Sequence, residues 1–562
     1  MSAKAEQRES EAQEARLPTW TTEPAAPESG RSPVMHQSIG LESEGAVPFC
    51  PRPRAKIAVS VTILTAALAS LYFFYTRGLS NLYGDGIAHM EGARRLWDSL
   101  TPGYSEIGSV WLPLYHVLAS PLALNDTLWR TGLAGSIVST AAFALTGWIL
   151  FRLGCEMNRN VAAGVVALVV FIACPNMLYL ASTPLTEPLA LLWAVLTVYE
   201  LFRYRETGQR SALVAAAVAA LAGTLTRYDG WFLLPFAAIF VFFARRESWC
   251  ERFRHTVVFS LIAGAGPVLW ILHNAIRFGN PLEFYNGPYS AQAIYAHQLA
   301  TSGFRYPTAG SLLLSARYYL EDLKLVIGPW PLELAVLGLV AWAAGARERA
   351  RRSAALLLVA PLPFYLQSMA HAAVPLYVPT LFPNTYYNLR YGIEMLPGVA
   401  VLASFLIAPG FNRRLRQALM VGLAAICLAG AVSMSAPGAA KLAVVKEGVL
   451  NTPCRSQTEQ AMIRFLRANY DGHVVLMTEG KYPCVPPQVG IPFRKTLSEA
   501  NRRYWQAMRY GAGKWAGWVI RSKGDSIDEL MRSYPQAFSD FDLVAKYRFP
   551  SEDGVDIYRR RK

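Results

Sequence analysis

Residues 57–76 read IAVSVTILTAALASLYFFYT, a run without a charged side chain. Wound as an α-helix at ~1.5 Å per residue, it is about as long as the hydrocarbon core of a bilayer is thick. Arg52, Arg54 and Lys56 stand just before it. Comparable runs recur along the chain, at 131–151, 160–180, 185–203, 211–226, 228–244, 256–276, 331–346, 353–371, 391–408 and 415–435. Composition agrees. Of 562 residues, 53% are hydrophobic and 17% charged, and the mean hydropathy is +0.23. A soluble chain of this length carries more polar residues. The expected fold is an α-helical polytopic membrane protein with about eleven transmembrane helices.

The net charge of +15 raises the question of nucleic acid, and the distribution of the charge answers it. The basic residues sit in short clusters between apolar runs, and no nucleic-acid-binding motif accompanies them, so no nucleic-acid partner is expected. Arg152 and Arg159 follow the second run, Arg203, Arg205 and Arg210 the fourth, and Arg245, Arg246, Arg252 and Arg254 the sixth. Arg349, Arg351 and Arg352 follow the eighth, and Arg413, Arg414 and Arg416 the tenth. Every second connection is basic. The positive-inside rule then puts these connections and the N-terminus in the cytoplasm and the C-terminus outside. Residues 110–124, VWLPLYHVLASPLAL, are apolar but short and carry Pro113, His116 and Pro121. Read as a full span they would invert the charge rule downstream, so they are placed as a surface or re-entrant element on the outer side.

Three regions result. Residues 1–55, acidic, polar and Pro-containing, read as a disordered cytoplasmic tail without a cleaved signal peptide. Residues 56–436 form the transmembrane domain. In residues 437–562 the hydropathy drops and helix alternates with strand: helices at 456–469, 498–509 and 525–533, strands at 473–478, 515–521, 541–549 and 554–559. That pattern predicts a small extracytoplasmic α/β domain. It has no Gly-rich nucleotide loop and is given no catalytic role. Cys454 and Cys484 fall in it, where they either form a disulfide or stay as two thiols.

Ionisable residues near membrane depth are costly and point to function. On the predicted outer face, Asp85 follows Gly84, and His89 comes four residues later, on the same side of any helix that starts there. Glu187 follows Thr186 and precedes Pro188 at a helix start. Helix capping would serve as a bland account of both Asp85 and Glu187. A hairpin with almost no loop, Thr226-Arg227-Tyr228-Asp229-Gly230-Trp231, suits a local Arg227–Asp229 ion pair with Trp231 as interface anchor. Arg277-Phe278-Gly279-Asn280-Pro281 opens a long, aromatic-rich loop. Arg390 and Tyr391 stand at the outer entrance of the tenth run, where a planar guanidinium can grip a phosphate or snorkel to a lipid headgroup.

In this order the features resemble the GT-C superfamily of integral-membrane glycosyltransferases, and within it the bacterial relatives of protein mannosyltransferases and aminoarabinose transferases. The residues that carry the resemblance are Asp85, the Thr186-Glu187-Pro188 element, the Thr226-Arg227-Tyr228 hairpin, Phe278 to Pro281, and Arg390-Tyr391. It covers about 57–435. Asp85-Gly86 stands where many relatives have Asp-Glu, and Glu187 where others often have Asp. Both departures leave the donor sugar and any metal open.

The resemblance implies a hexosyltransferase-type enzyme of the bacterial inner or plasma membrane, with its active site outside. A polyprenyl-phosphate-linked sugar is the donor, and a glycan, lipid or protein is the acceptor. Asp85 is the expected catalytic base, and Arg390 the group on the leaving phosphate. His89, Glu187, Arg227 and Tyr391 are expected to bind substrate. No cofactor is certain, and a divalent metal stays open. The rival expectation is a transporter or flippase for a lipid-linked or small polar molecule. No convincing internal repeat supports it, and the charged residues gather at one face rather than at mid-membrane.

Overall fold

The structure, a computed structural model, describes residues 51–407, 410–436, 438 and 442–561. Most of the expected N-terminal tail and its Cys50 lie outside the described residues. The expected run 57–76 is the helix Pro53–Thr76. Four further helices are long and apolar enough to cross a membrane: Leu133–Asn158, Trp249–Phe278, Glu348–Ala370 and Arg413–Ser435. Two bent pairs raise that number to seven, Val161–Ile172 with Pro175–Ala181 (70°) and Leu312–Val326 with Pro329–Ala344 (113°). Both bends fall just before a proline, which lacks the N–H the next turn needs and clashes with the preceding one. At the sharper bend Gly328 takes a φ of +97°, open to glycine and costly for other residues. The remaining expected spans lie on Glu187–Thr207, Arg210–Thr224, Asp229–Phe243 and the stretch Leu389–Ser404.

The 110–124 segment yields the helix Leu114–Ala123, only 10 residues long. At ~1.5 Å per residue that is about half a bilayer core. It packs on the helix Gly84–Arg95.

Small residues let the helices close up, as they do where lipid offers no hydrophobic drive between them. A Cβ on Gly164 would sit 2.3 Å from the Cys155 sulfur, and one on Gly338 1.9 Å from the Leu402 carbonyl oxygen. The basic clusters meet at one end of the bundle. Arg351 donates to the carbonyls of Glu156 and Met157, and Arg245 to that of Arg205 at 3.1 Å. Glu187 begins the helix whose last turn carries Arg205, so it lies a whole helix length away from that basic end.

The C-terminal region holds a five-stranded sheet in the order β2-β1-β3-β5-β4. Its strands are β1 (Val475–Leu476), β2 (Thr496–Leu497), β3 (Trp518–Ser522), β4 (Phe541–Tyr547) and β5 (Val555–Arg560). The first three run parallel, and β5 pairs antiparallel with β3 and β4. The expected helices appear as Gln457–Asn469, Arg502–Ala507 and Ser526–Ser533. Ser456 caps the first with a 3.2 Å bond from the Glu459 amide, and Asp525 caps the last. The strand β2 went unforeseen because two residues carry too little alternation to be read. Cys454 and Cys484 are joined as a disulfide.

This region is tied to the membrane bundle. The helix Ala443–Asn451 receives a 2.7 Å bond from the Tyr83 hydroxyl to the Val444 carbonyl. Arg95 pairs with Glu479, and Arg494 with Asp98 at 2.8 Å.

Candidate active site

Four chain segments converge at the end of the bundle that carries the C-terminal domain. The first is the opening turn of the helix Gly84–Arg95, which holds Asp85. Tyr83 at the cap makes no side-chain capping bond, and the Asp85 carboxylate reaches out of its own helix to pair with Arg390. Its side chain is 45% exposed, in a cluster otherwise buried or nearly so.

The second is the start of Glu187–Thr207. Proline at the next position fits a helix start because its missing N–H would have no partner there. Glu187 is buried and does not cap. One carboxylate oxygen, Oε1, lies 2.9 Å from Arg390 Nε and 3.1 Å from Arg227 Nη1. Its Oε2 is buried without a hydrogen-bond partner.

The third is the hairpin before Asp229–Phe243. Arg227 makes the local ion pair expected there, Nε to Asp229 Oδ2 at 3.3 Å, and does much more. It donates to Thr186 at 3.0 Å and to the Tyr365 hydroxyl at 3.1 Å, and lies 3.0 Å from Glu394 Oε1. Tyr365 in turn donates to Glu394 at 2.8 Å. Trp231 donates to the Thr224 carbonyl and packs edge-on to Tyr228.

The fourth is the 3₁₀ turn Leu389–Met395, which delivers Arg390, Tyr391 and Glu394. Asn388 precedes it at a φ of +59°, a left-handed conformation that asparagine tolerates better than most residues. Glu447, from the C-terminal side, holds that turn by accepting the amides of Asn388 at 2.7 Å and Leu389 at 2.9 Å. Burial pushes the Glu447 carboxyl up to about 7, although Arg390 and the two amides pull it down.

Both guanidiniums lie over the ring of Tyr391, Arg390 at 5.2 Å and Arg227 at 5.1 Å from its centroid. Tyr391 stacks on Tyr365, and Tyr365 on Tyr319. The site is thus a frame of two arginines and four carboxylates, Asp85, Glu187, Asp229 and Glu394, walled by stacked tyrosines. Shared carboxylate oxygens and cation–π contacts fix both guanidiniums in place.

Of the residues expected from sequence, Asp85, Glu187, Arg227, Arg390 and Tyr391 come together. His89 turns elsewhere for its hydrogen bond, 2.9 Å from its Nδ1 to the Nε2 of His116, among Trp111 and Tyr115. Burial pushes the His89 imidazole well below its ordinary value, helped by His116 and then by Arg390 and Arg227. Glu394, Tyr365, Tyr83 and Glu447 were missed. Glu394 carried a signal, since it is a carboxylate inside the apolar run 391–408, and such a charge is expensive there.

Among the described residues, no group of three or more His, Cys, Asp or Glu side chains is placed to hold a metal ion. Beside the frame, an apolar cavity opens between Glu187–Thr207, Arg210–Thr224 and Asp229–Phe243. Ala190, Leu191 and Leu233 are among its walls, and Asp229 and Glu394 form its polar end.

No protein-family model matches the sequence, and no curated protein matches it. Solved structures do. ArnT from Cupriavidus metallidurans bound to undecaprenyl phosphate superposes with a TM-score of 0.54 at 12% identity, over 89% of this chain and 97% of that one. Its apo state gives 0.51 at 12% identity, over 90% and 98%. The mycobacterial arabinofuranosyltransferase AftD gives 0.43 at 14% identity, over 92% of this chain and 40% of that one. Identities this low speak for the fold and nothing finer. The fold is that of ArnT, over 89% of the chain, and it is the helical multi-span membrane architecture that the sequence led us to expect.

Proposed function

We propose that this chain is a glycosyltransferase that moves a sugar from a polyprenyl-phosphate donor to an acceptor on the outer face of the membrane. One observation carries the reading: a half-exposed carboxylate, Asp85, is paired with a buried arginine, Arg390, that is itself locked in place by Glu187. An acid–base group open to solvent beside a fixed cation is what displacement of a phosphate from an anomeric carbon requires.

In the proposed step, the acceptor hydroxyl oxygen attacks the anomeric carbon, the bond from that carbon to the phosphate oxygen breaks, and Asp85 takes the hydroxyl proton. Polyprenyl phosphate leaves with the electron pair, and Arg390 stabilises the charge gathering on it. In the resting arrangement Asp85 itself occupies Arg390. A phosphate arriving there competes for the guanidinium and frees Asp85 to act as base. Arg227 does not touch the reacting atoms in this scheme. It positions Glu187 and Glu394, and His89 supports the first-loop helix from behind. The hexosyl class of the donor follows the sequence resemblance.

The outer location is supported by the basic connections collecting at the opposite end of the bundle, and by a disulfide in the domain on the same side as the site. ArnT was crystallised with undecaprenyl phosphate, which supports the lipid class of the donor. The apolar cavity beside the frame suits a hydrocarbon chain.

The experiment is transfer from radiolabelled polyprenyl-phosphate hexoses to a membrane extract by purified protein. Asp85→Asn is expected to abolish transfer at unchanged expression and thermal stability. Retained turnover in that variant would remove Asp85 from the chemistry, and binding without turnover in the natural protein would favour a transporter.

A further inference from the structure

The reaction scheme leaves unused a set of aromatic side chains at the Asp85 end of the frame. In the stretch between the helix ending at Ala370 and the turn Leu389–Met395, Tyr377 and Tyr387 exchange two backbone hydrogen bonds of 3.1 Å. Antiparallel pairing puts both side chains on one face, and their ring centroids lie 5.7 Å apart. Tyr306 continues the row, 6.2 Å from Tyr377 and 4.4 Å from Tyr295, which belongs to the helix Ala291–Ser302. Phe304 braces the row, edge-on to Tyr377. The row ends at the reacting groups. Tyr387 stands three residues before Arg390. Burial pushes its phenol up to about 12, and Asp85 is the first charged group to add to that rise.

Packing alone leaves two observations without a reason. A tyrosine in a packed cluster ordinarily finds a partner for its hydroxyl. Here none of the four hydroxyls makes a hydrogen bond to a described residue, and none is sealed from solvent. That includes Tyr306, a residue only 4% exposed. Tyr387, in turn, is 42% exposed beside the buried Arg390, so much of its ring is open to a ligand. A membrane-interface belt would account for tyrosines in these loops, but not for a row packed ring on ring that ends at Asp85.

We propose that this tyrosine row binds a neutral saccharide chain and, resting on the glycosyltransferase reading above, that this chain is the acceptor. A sugar presents C–H groups on its faces and hydroxyls around its edge. Aromatic faces meet the first, and phenols, each both donor and acceptor, meet the second. An ionic headgroup finds no charge in the row, which holds no Lys, Arg, Asp or Glu. A hydrocarbon chain would leave four phenols unpaired, and the apolar cavity that suits one ends elsewhere, on Asp229 and Glu394. A peptide strand needs free backbone groups to pair with, and those of Tyr377 and Tyr387 are spent on each other. Donor lipid and acceptor then approach the frame at different ends, with Asp85 at the end from which the nucleophile comes.

The test uses the full chain in nanodiscs and saturation-transfer NMR, with maltopentaose, mannopentaose and arabinopentaose as probes. At least one should bind, and Tyr387→Ala should weaken it about ten-fold and Tyr306→Phe about five-fold. Tyr306→Phe removes a single oxygen and covers the case in which Tyr387→Ala does not fold. In a transfer assay, Tyr306→Phe should raise the KM for acceptor rather than lower kcat, as loss of uniform binding does. Oligosaccharide binding by a protein without transferase activity would support the saccharide site and overturn its assignment to the acceptor, so the two readings fail separately. The proposal is overturned if no oligosaccharide binds the natural protein, if both variants bind as well as it does, or if a serine-containing peptide or a polyprenol displaces every oligosaccharide.

Discussion

At the scale of single residues, the two arginines predict different failures. Arg390 pairs with the exposed Asp85 and the buried Glu187, so a lysine there keeps the charge and loses the planar fork that meets both. Arg390→Lys is expected to fold and to lower kcat about 10²–10³-fold, the usual effect of losing a fixed donor on developing charge. Arg227 instead neutralises Glu187, Asp229 and Glu394. Arg227→Ala leaves Asp229 and Glu394 without their cation, while Glu187 keeps Arg390, and should cost about 3–5 kcal/mol of stability, read as a lowered unfolding midpoint in detergent. An Arg227→Ala protein as stable as its parent would contradict the frame described here. Asp85, Glu187 and Arg390 were legible because each stood beside an apolar run. That Arg227 is shared between segments was not, because neighbours in space from 187, 227 and 394 leave no local pattern. Helical spacing put His89 on one helix with Asp85, as observed, but could not foretell that its ring meets His116 from another segment.

At the scale of elements, apolar length located the helices and proline located their breaks. What length could not supply was the angle at each break, 70° and 113°, because that is set by what the two halves pack against. In the C-terminal domain the capped helices were read within a few residues, since Ser456 and Asp525 mark them. The disulfide was left open, because two cysteines 30 residues apart reveal nothing of their distance in space. Closing a loop of that length restricts the unfolded chain by about 3–4 kcal/mol. Cys454→Ser with Cys484→Ser should lower the unfolding midpoint of the protein, and reductant should have the same effect on the parent. No change with either treatment would mean that the bond contributes nothing to stability.

At the scale of the whole molecule, burial of carboxyls outside the membrane sets a dependence on pH. Glu91 and Glu459 are pushed up to about 8 and Glu447 to about 7, each by burial first. An unfolded glutamate titrates near 4.3. Between that value and about 7–8 the folded chain keeps protons that the unfolded chain has lost, so stability falls as pH rises. His89, depressed by burial, acts with the opposite sign, but only up to its unfolded value of about 6.5. The unfolding midpoint should therefore drop between about pH 6.5 and 8, and Glu459→Gln should flatten that slope. A midpoint that rises across the window would contradict the burial of these groups. The grip of Glu447 on the amides of Asn388 and Leu389 has a further consequence for engineering. Cutting the chain after Ser435 would delete none of the side chains assigned to the reaction, yet it would release the segment that aims Arg390, leaving a complete set of chemical groups with nothing to hold them in register.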